Sequence, residues 1–227
     1  MSQKRIGVTV VSREPSTVVE TIQRFEKMGI PAAWMTLGGA APDSITMLAA
    51  AAVRTERILL GTCIVPTWPR HPIAIVQQAQ AIAGLAPGRF RLGLGPGHKQ
   101  PIEDTYGYEF KAPLGHLREY VHIVKTLLRQ GAVDFDGKHY KAHTRIAKPV
   151  DLPIMASALR EKSFELCGAE CDGAISWVCP GKYLKEVCVP AIARGAKLAG
   201  RTPPALFTHA PVCVHDERQE VLAAARE

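Results

Sequence analysis

The feature of the sequence that most limits its fold is a unit of strand, loop and helix that recurs along the chain. Short β-branched or apolar runs are each followed by a polar or glycine-rich loop and then by a segment with helical spacing of apolar residues. Strand ends near Val10, Leu37, Val65 and Gly95 are about thirty residues apart, which is the length of one βα unit in a parallel sheet. The pattern therefore predicts parallel strands joined by crossover helices.

The repeat supplies seven predicted strands, over 5–11, 32–37, 58–65, 89–95, 153–159, 172–178 and 206–214. Between 96 and 152 the rhythm breaks into a long loop, a helix over 114–130 and a hairpin-like piece over 133–140, which we interpret as an insertion. The chain stops in a helical start after the seventh strand, so we expect a C-terminally incomplete (β/α)8 barrel that lacks its last strand and helix. An open doubly wound sheet uses the same units and tolerates seven strands, so periodicity alone leaves both folds open.

Length and composition favour one domain that spans 1–227. A chain of 227 residues with 47% hydrophobic and 22% charged residues supports one sizeable core. Its apolar runs fall short of the roughly 18 residues that cross a bilayer, and its polar start has no signal-peptide core, so we expect a soluble, cytoplasmic protein without a membrane partner. The net charge of +7 is scattered, which argues against nucleic acid as a partner. The six cysteines form no C-x-x-C pair, so we expect reduced thiols and no metal site.

Several segments together resemble the luciferase-like monooxygenase superfamily. They read LGTCIVPTWPRHP over 60–72, QQAQAIAGLAPGRFRLGLGPGH over 77–98, LREYVHIVKTLL over 117–128, DFDGKHY over 134–140 and LPIMASALREKSFELCGAECDGAISW over 152–177. The resemblance runs over nearly the whole chain in the same order. It implies a (β/α)8 barrel rather than an open sheet, with FMN or the deazaflavin coenzyme F420 set over the barrel mouth. Segments 60–72 and LGPGH look closer to the hydride-transferring oxidoreductases than to the light-emitting enzymes.

In a parallel barrel the functional groups lie at the C-terminal strand ends. Backbone without side chains at Gly95 and Gly97 would let a flat ring approach closely, although a twisted strand leaving the barrel explains these glycines equally well. At Cys63 and Ile64 the resemblance implies a bulge and a non-prolyl cis peptide behind the ring, against the alternative of an ordinary buried strand end. The candidate cofactor-binding residues are Thr36, Gly38, Thr62, Cys63, Ile64, Gly95, Gly97, His98, Ser157, Ala158, Leu159, Arg160, Ser176 and Trp177.

A strand that ends at Ser157–Leu159 directly before a helix creates an anion site from backbone N–H groups, to which Arg160 adds charge. The resemblance makes this the phosphate loop, with the usual glycines replaced. His98 is the candidate catalytic residue because a neutral imidazole offers one donor and one acceptor, although a surface-loop histidine is an equal alternative. We expect His71 to cap the following helix instead. Relatives often carry an acid or a histidine after the second strand, and the stretch 35–39 has neither, so the proton donor is unassigned.

The leading functional hypothesis is hydride transfer between coenzyme F420, or FMN, and a small organic substrate bound under the 96–152 insertion. One alternative is an FMN-dependent monooxygenase that uses oxygen and reduced flavin from a separate reductase. A third hypothesis, from another class, is a flavin-binding barrel without turnover. The expected partners are a small-molecule substrate, a separate flavin or F420 reductase, and a second copy of the chain in a homodimer.

Overall fold

The computed structural model describes residues 6–224. The strands are β1 (Val8–Thr9), β2 (Ala32–Met35), β3 (Leu59–Thr62), β4 (Val65–Pro66), β5 (Phe90–Gly95), β6 (Ala132–Asp136), β7 (Lys141–Arg145), β8 (Ile154–Ser157), β9 (Gly173–Ser176) and β10 (Ala205–Thr208). The helices are α1 (Pro15–Lys27), α2 (Ser44–Ala52), α3 (Pro72–Leu85), α4 (Lys99–Tyr106), α5 (Pro113–Gln130), α6 (Glu161–Glu170), α7 (Gly181–Tyr183), α8 (Val189–Leu198) and α9 (Arg218–Ala224), with a π-helical turn at Leu184–Cys188. Each predicted strand has a counterpart, although the predicted first strand begins at Arg5, outside the described residues. The strand predicted over 58–65 is divided into β3 and β4, and the strand predicted over 206–214 is the shorter β10, which ends at Thr208.

The main sheet is parallel and strongly curved. Its order is β1-β2-β3-β5-β8-β9-β10, and β4 continues β3 along β5. In a flat sheet β2 and β10 would lie roughly 24 Å apart, five steps of about 4.8 Å. Instead, Trp34 of β2 packs against Phe207 of β10 with ring centroids 5.6 Å apart. The sheet is therefore curled into a half-barrel, and the predicted α/β barrel that lacks part of its wall is confirmed.

Local signals in the sequence set the ends of several helices. Pro15, Pro72 and Pro113 occupy first-turn positions of α1, α3 and α5, where the missing N–H of proline costs no hydrogen bond. Gly131 ends α5 in the left-handed conformation at φ 80°. The prediction that His71 caps α3 is confirmed, since its Nδ1 accepts a hydrogen bond from the Ile73 N–H at 3.2 Å.

The main hydrophobic core lies between the outer face of the sheet and the surrounding helices. Leu60, Leu92 and Leu94 point outward into this core and are fully buried, which stabilises the fold by about 1.5–3 kcal/mol for each side chain. Neighbouring helices pack in the order α1, α2, α3, α5, α6 and α8, so α5 occupies the place of a crossover helix. No helix within residues 6–224 has the length and apolarity needed to cross a membrane.

A second, smaller apolar cluster fills the inside of the half-barrel. It contains Cys63, Met155 and Ile175, with Trp34, Ile64 and Phe207 packed against them. Glycines make room for the indole of Trp34, because a Cβ on Gly7 or on Gly61 would lie 2.3 Å from its atoms. The interior is thus a packed core and not a channel.

Charged side chains hold the N-terminal ends of the strands, and we call these contacts the strand-start clamps. The Glu26 carboxylate accepts hydrogen bonds from three consecutive backbone N–H groups that lead into β3, those of residues 56–58. The Arg89 guanidinium donates to four oxygen atoms of residues 52, 55 and 58. Asp172 accepts from the Ile154 N–H at 2.9 Å and pairs with Arg129 at 2.6 Å. These clamps fix the end of the sheet at which the strands begin.

The range 96–152 holds α4, α5 and an antiparallel hairpin of β6 and β7. The expected helix over 114–130 and the hairpin are present, whereas part of the expected long loop forms α4. The carboxylate of Glu119 on α5 accepts three backbone N–H groups of the hairpin turn, those of Lys138, His139 and Tyr140, at 2.8–3.1 Å. Burial acts to raise the pKa of Glu119, but these hydrogen bonds outweigh it and hold the pKa below its usual value. The boundaries of the insertion stay a prediction.

Candidate functional site

The carboxyl ends of the parallel strands meet at one edge of the half-barrel, which we call the mouth. Their last residues are Thr9, Met35, Pro66, Gly95, Ser157, Ser176 and Thr208. Neighbouring ends lie in register, with Met35 opposite Thr62, Pro66 opposite Gly95 and Ser176 opposite Thr208. The predicted cofactor-binding residues all belong to these strand ends or to the loops that follow them.

A bulge interrupts the third barrel strand at the mouth. Gly61 pairs with Arg91 and Val65 pairs with Leu94, so three residues of one strand oppose two of the other. The peptide bond between Cys63 and Ile64 is cis. The bulge and the cis peptide expected at this position are both present.

Thr62 satisfies the backbone groups that the bulge would otherwise leave unpaired. Its hydroxyl accepts a hydrogen bond from the Gly93 N–H at 2.8 Å and donates to the Gly93 carbonyl at 2.9 Å. A Cβ on Gly93 would lie 2.0 Å from the Thr62 carbonyl oxygen. The hydroxyl of Thr62 is therefore occupied within the sheet, and Thr62 as a whole is fully buried.

Three residues from neighbouring strands, Ile64, Gly95 and Ser157, pack closely together at the mouth, and we call them the floor. A Cβ on Gly95 would lie 2.2 Å from Ser157 Oγ and 2.9 Å from Ile64 Cδ1. The floor of Ile64, Gly95 and Ser157 thus depends on the missing side chain of Gly95. Gly97 follows in the left-handed conformation, at φ 72°, and turns the chain away from the strand.

Cys63 lies beneath the floor inside the half-barrel. Its side chain is buried, and burial raises the pKa of the thiol to about 12, against a hydrogen bond with Thr9 that acts in the opposite direction. A thiol with so high a pKa stays protonated at neutral pH and is a poor nucleophile. Cys63 therefore has a packing role here.

The predicted phosphate loop joins Ser157 to the start of α6. The Ala158 N–H already donates to the Ile175 carbonyl at 2.8 Å, so it is unavailable to a ligand. No backbone hydrogen bond within residues 6–224 uses the N–H groups of 159–162. Leu159 and Arg160 are exposed beside these groups, and an anion bound there would face the positive end of the α6 dipole.

The ends of β9 and β10 bring Trp177 and His209 together. Their rings meet edge-on with centroids 4.8 Å apart, and His209 Nδ1 lies 2.9 Å from the Ser176 carbonyl oxygen. Ser176 itself is fully buried, and its hydroxyl points toward the Phe207 carbonyl. His209 was not among the predicted site residues, because the predicted seventh strand ran over 206–214 and placed His209 inside the strand instead of at its C-terminal end.

The loop after β9 adopts an unusual backbone conformation. Val178 has φ 43°, in the left-handed region that β-branched residues rarely enter. Such conformations cost on the order of 1–3 kcal/mol and concentrate at functional sites. The strained loop therefore supports a functional role for this side of the mouth.

The remaining predicted residues line the exposed side of the mouth. Thr36 and Gly38 are exposed after β2, and the Leu37 N–H ties this loop to the bulge by donating to the Ile64 carbonyl at 3.2 Å. His98 is exposed and precedes α4 without a side-chain capping bond. The catalytic role of His98 stays a prediction.

An open pocket of about 410 Å³ lies next to the mouth, which we call the outer pocket. It is formed by the loop after β4, the loop after α4 and the tip of the hairpin. Aromatic and basic side chains dominate its lining, which comprises Trp68, Pro69, Arg70, His71, Tyr108, His139, Tyr140 and Lys141.

A buried hydrogen-bonded group supports the wall of the outer pocket. His116 Nδ1 lies 3.3 Å from Thr67 Oγ1, and its Nε2 lies 2.6 Å from Tyr140 Oη, which also contacts the Thr67 carbonyl at 3.2 Å. Trp68 stacks on the His116 ring with centroids 3.7 Å apart. Burial, and to a lesser degree the neighbouring His139, lowers the pKa of His116 to about 4. The imidazole is therefore neutral at pH 7 and has a structural role.

Within residues 6–224, no group of three or more His, Cys, Asp or Glu side chains is arranged to hold a metal ion.

Comparison with curated proteins finds relatives named F420-dependent glucose-6-phosphate dehydrogenase. The protein from Mycolicibacterium fortuitum is 31% identical over 221 residues, which cover 88% of this chain and 66% of the relative. The protein from Nocardia farcinica is 36% identical over 179 residues, which cover 74% of this chain and 53% of the relative. The chain thus spans between about half and two thirds of the length of these relatives.

Solved structures share the fold. The coenzyme F420-dependent tetrahydromethanopterin reductase from Methanopyrus kandleri superposes with a TM-score of 0.86 at 24% identity, over 97% of this chain and 69% of the reductase. An F420-dependent secondary alcohol dehydrogenase gives a TM-score of 0.82 at 21% identity, over 90% of this chain and 68% of that enzyme. The family model described as luciferase-like monooxygenase matches residues 1–227, and the chain therefore belongs to the luciferase-like monooxygenase family.

Proposed function

We propose that this chain is an oxidoreductase that exchanges hydride between coenzyme F420 and a small organic substrate, with FMN as the second candidate cofactor. The observation that carries the proposal is the floor, where the missing side chain of Gly95 lets Ile64 and Ser157 pack closely over the strand end. A surface at the mouth that is closed in this way suits a flat ring. The relatives named as F420-dependent enzymes support F420 over FMN.

The chain's own residues would bind and orient the cofactor. Ile64 and Gly95 would support the ring, and the free N–H groups of 159–162 with Arg160 would take a phosphate. The loop residues Thr36 and Gly38 and the aromatic Trp177 would border the ring. When bound, a flavin or deazaflavin supplies the two-electron hydride chemistry, while the protein supplies orientation and exclusion of competing reactions.

The outer pocket is the proposed place of the substrate. It lies under the segment 96–152 beside the mouth, and its Arg70 and Lys141 suit a substrate with an anionic group. Arg70 is held by Asp43 at 2.7 Å, so its guanidinium is fixed before a ligand binds. Glucose 6-phosphate, named in the relatives, is the first substrate to test.

We propose a cytoplasmic setting for the activity. Within residues 6–224 all six cysteines are free thiols, which supports this proposal because the cytoplasm is reducing. A separate F420 or flavin reductase would regenerate the cofactor, and a homodimer would cover exposed strand edges.

The experiment titrates the purified chain with F420 and with FMN by fluorescence, and then adds glucose 6-phosphate while the absorbance of F420 is followed. Preferential binding of F420 with substrate-dependent reduction is expected. Preferential binding of FMN with oxygen consumption would replace the proposal by monooxygenase chemistry, and binding without turnover of any substrate would support an inert barrel.

A matched pair of variants tests the floor. Gly95→Ala should weaken cofactor binding at least about tenfold, because the added methyl group crowds Ser157 and Ile64. Gly84→Ala in α3 meets no atom within 4 Å and should leave binding unchanged. Equal affinity for F420 in both variants would count against the floor as the ring site.

A further inference from the structure

His209 follows β10 at the mouth, and its side chain projects to the same inner side of the half-barrel as Phe207. Phe207 points into the barrel interior, where it packs against Trp34. Strand side chains alternate, so the residue two positions later projects to the same side. The His209 N–H still bonds the Ser176 carbonyl at 3.4 Å, which extends the pairing of β10 with β9 to this residue. The half-buried imidazole therefore lies at the mouth.

Its hydrogen bonds give the two ring nitrogens of His209 different tasks. A carbonyl oxygen only accepts, so Nδ1 must carry the proton that is shared with the Ser176 carbonyl at 2.9 Å. In the neutral ring Nε2 is then an acceptor, and no hydrogen bond to Nε2 is present within residues 6–224. The edge contact with Trp177 restricts the ring further. Ser176 and Trp177, which contact the imidazole ring, carry no charge.

The other inward groups of the mouth cannot exchange a proton near neutral pH. Gly95 and Ile64 have no ionisable group, and the hydroxyl of Ser157 is not acidic enough. Burial raises the pKa of the Cys63 thiol to about 12. The stretch after β2, from 35 to 39, contains neither an acid nor a histidine. His98 lies in an exposed loop with no group to orient it.

We propose that His209 is the proton carrier of the reaction when the substrate is a hydroxyl or carbonyl compound. This inference rests on the proposed function. When the carbinol carbon of a substrate loses its hydride to the oxidised cofactor, two electrons leave with it and the C=O bond forms. The hydroxyl O–H bond breaks at the same time, and its proton passes to Nε2 of His209. The resulting imidazolium releases the proton to water, and in the reverse direction it protonates the carbonyl oxygen.

The first test is an NMR titration of the wild-type chain, with ring resonances of the eight histidines resolved in 13C-labelled protein. The His209 signal is assigned as the one lost in His209→Asn. We expect saturating F420 to shift this signal and the midpoint of its pH titration, while the signal of His122, which is exposed on α5, stays in place. Fluorescence of F420 is read in the same samples. Absence of binding overturns the proposed function and this inference together, whereas binding without a response of His209 overturns the inference alone.

The second test is kinetic, with glucose 6-phosphate and 2-propanol as substrates. His209→Asn can still donate to the Ser176 carbonyl but has no acceptor nitrogen with imidazole basicity, so kcat should fall by a factor of about 10²–10⁴ with little change in the Kd for F420. In the wild type, kcat should fall toward acid pH because a protonated base cannot accept the substrate proton. This fall should be absent in His209→Asn. His122→Gln, at an exposed position of α5, is the matched control and should keep the wild-type rate and pH profile. A normal pH profile in His209→Asn, or its loss in His122→Gln, would overturn the proposal.

Discussion

At the residue scale, two glycines that share one strand have different tasks. Gly95 makes room for the side chains of Ile64 and Ser157 in the floor. Gly93 lets two strands approach each other, since a Cβ there would meet the Thr62 carbonyl oxygen at 2.0 Å. A backbone atom cannot move aside as a side chain can. Gly93 is therefore required by the fold, while Gly95 is required by the proposed site.

Alanine should have opposite effects on stability at Gly93, where it meets backbone, and at Gly84, where it meets free space. Gly93→Ala should lower the free energy of unfolding by at least about 1–3 kcal/mol because the added methyl group forces the bulge open. Gly84→Ala, inside α3 with free space around it, should raise it by about 0.5–1 kcal/mol. Urea denaturation of the two variants checks both signs. An unchanged midpoint in Gly93→Ala would mean that the bulge relaxes at little cost.

The site residues show what the sequence could and could not predict at this scale. The cis peptide between Cys63 and Ile64 was predicted because the family resemblance applies to a continuous segment of the sequence that contains both residues. His209 was missed because its importance comes from the Ser176 carbonyl, 33 positions earlier in the chain. A contact between neighbouring strands leaves no local pattern that one sequence alone could reveal.

At the element scale, His116 links the loop after β4, the helix α5 and the hairpin through hydrogen bonds to Thr67 and Tyr140. Its pKa in the folded protein is about 4, below the usual 6.5. As the pH falls, the unfolded chain takes up a proton before the folded chain does. This contribution to stability is complete above about pH 6.5 and is lost as the pH falls toward 4.

We therefore expect the free energy of unfolding to fall by up to about 3 kcal/mol between pH 7 and pH 4 because of this one group. Denaturation of the wild type and of His116→Asn over this range should give a flatter pH dependence in the variant. The control His98→Gln changes an exposed histidine and should keep the wild-type dependence. Parallel curves for all three proteins would show that His116 is protonated without loss of structure.

Element prediction succeeded where the pattern is local and failed where it is not. The seven strands and α5 follow from runs and spacings of apolar residues. The helix α4 was missed because it buries only Ile102, so its sequence has no apolar periodicity. Its position depends on contacts such as that of Tyr106 Oη with the Gly39 carbonyl at 2.9 Å, which only the folded chain creates.

At the scale of the whole molecule, periodicity allowed an open sheet as well as a barrel. The contact between Trp34 and Phe207 across the interior decides between them, and it depends on glycines 7 and 61 that give the indole its space. Spacing along one chain does not encode such a contact. Family resemblance supplied what periodicity could not.

The curled sheet ends at β1 and β10 among residues 6–224. Unpaired edges present N–H and C=O groups to a second chain, so we expect association that increases with protein concentration. Sedimentation velocity over a wide concentration range checks this. Ala205→Lys, which places a charge at an exposed position of β10, should weaken the association, while Ala50→Lys on the exposed side of α2 should not. A sedimentation coefficient that does not change with concentration would contradict the expectation.

The strand-start clamps of Glu26, Arg89 and Asp172 lie at the edge opposite the mouth. Because the strands are anchored at that end of the barrel, side chains at the opposite end can be replaced without loss of the anchoring contacts. For protein engineering, this means that new substrate preferences can be sought at Tyr108 and Lys141 of the outer pocket, which take no part in the hydrogen bonds of His116. The clamp residues themselves should be left unchanged, since substitutions there would unfold the protein.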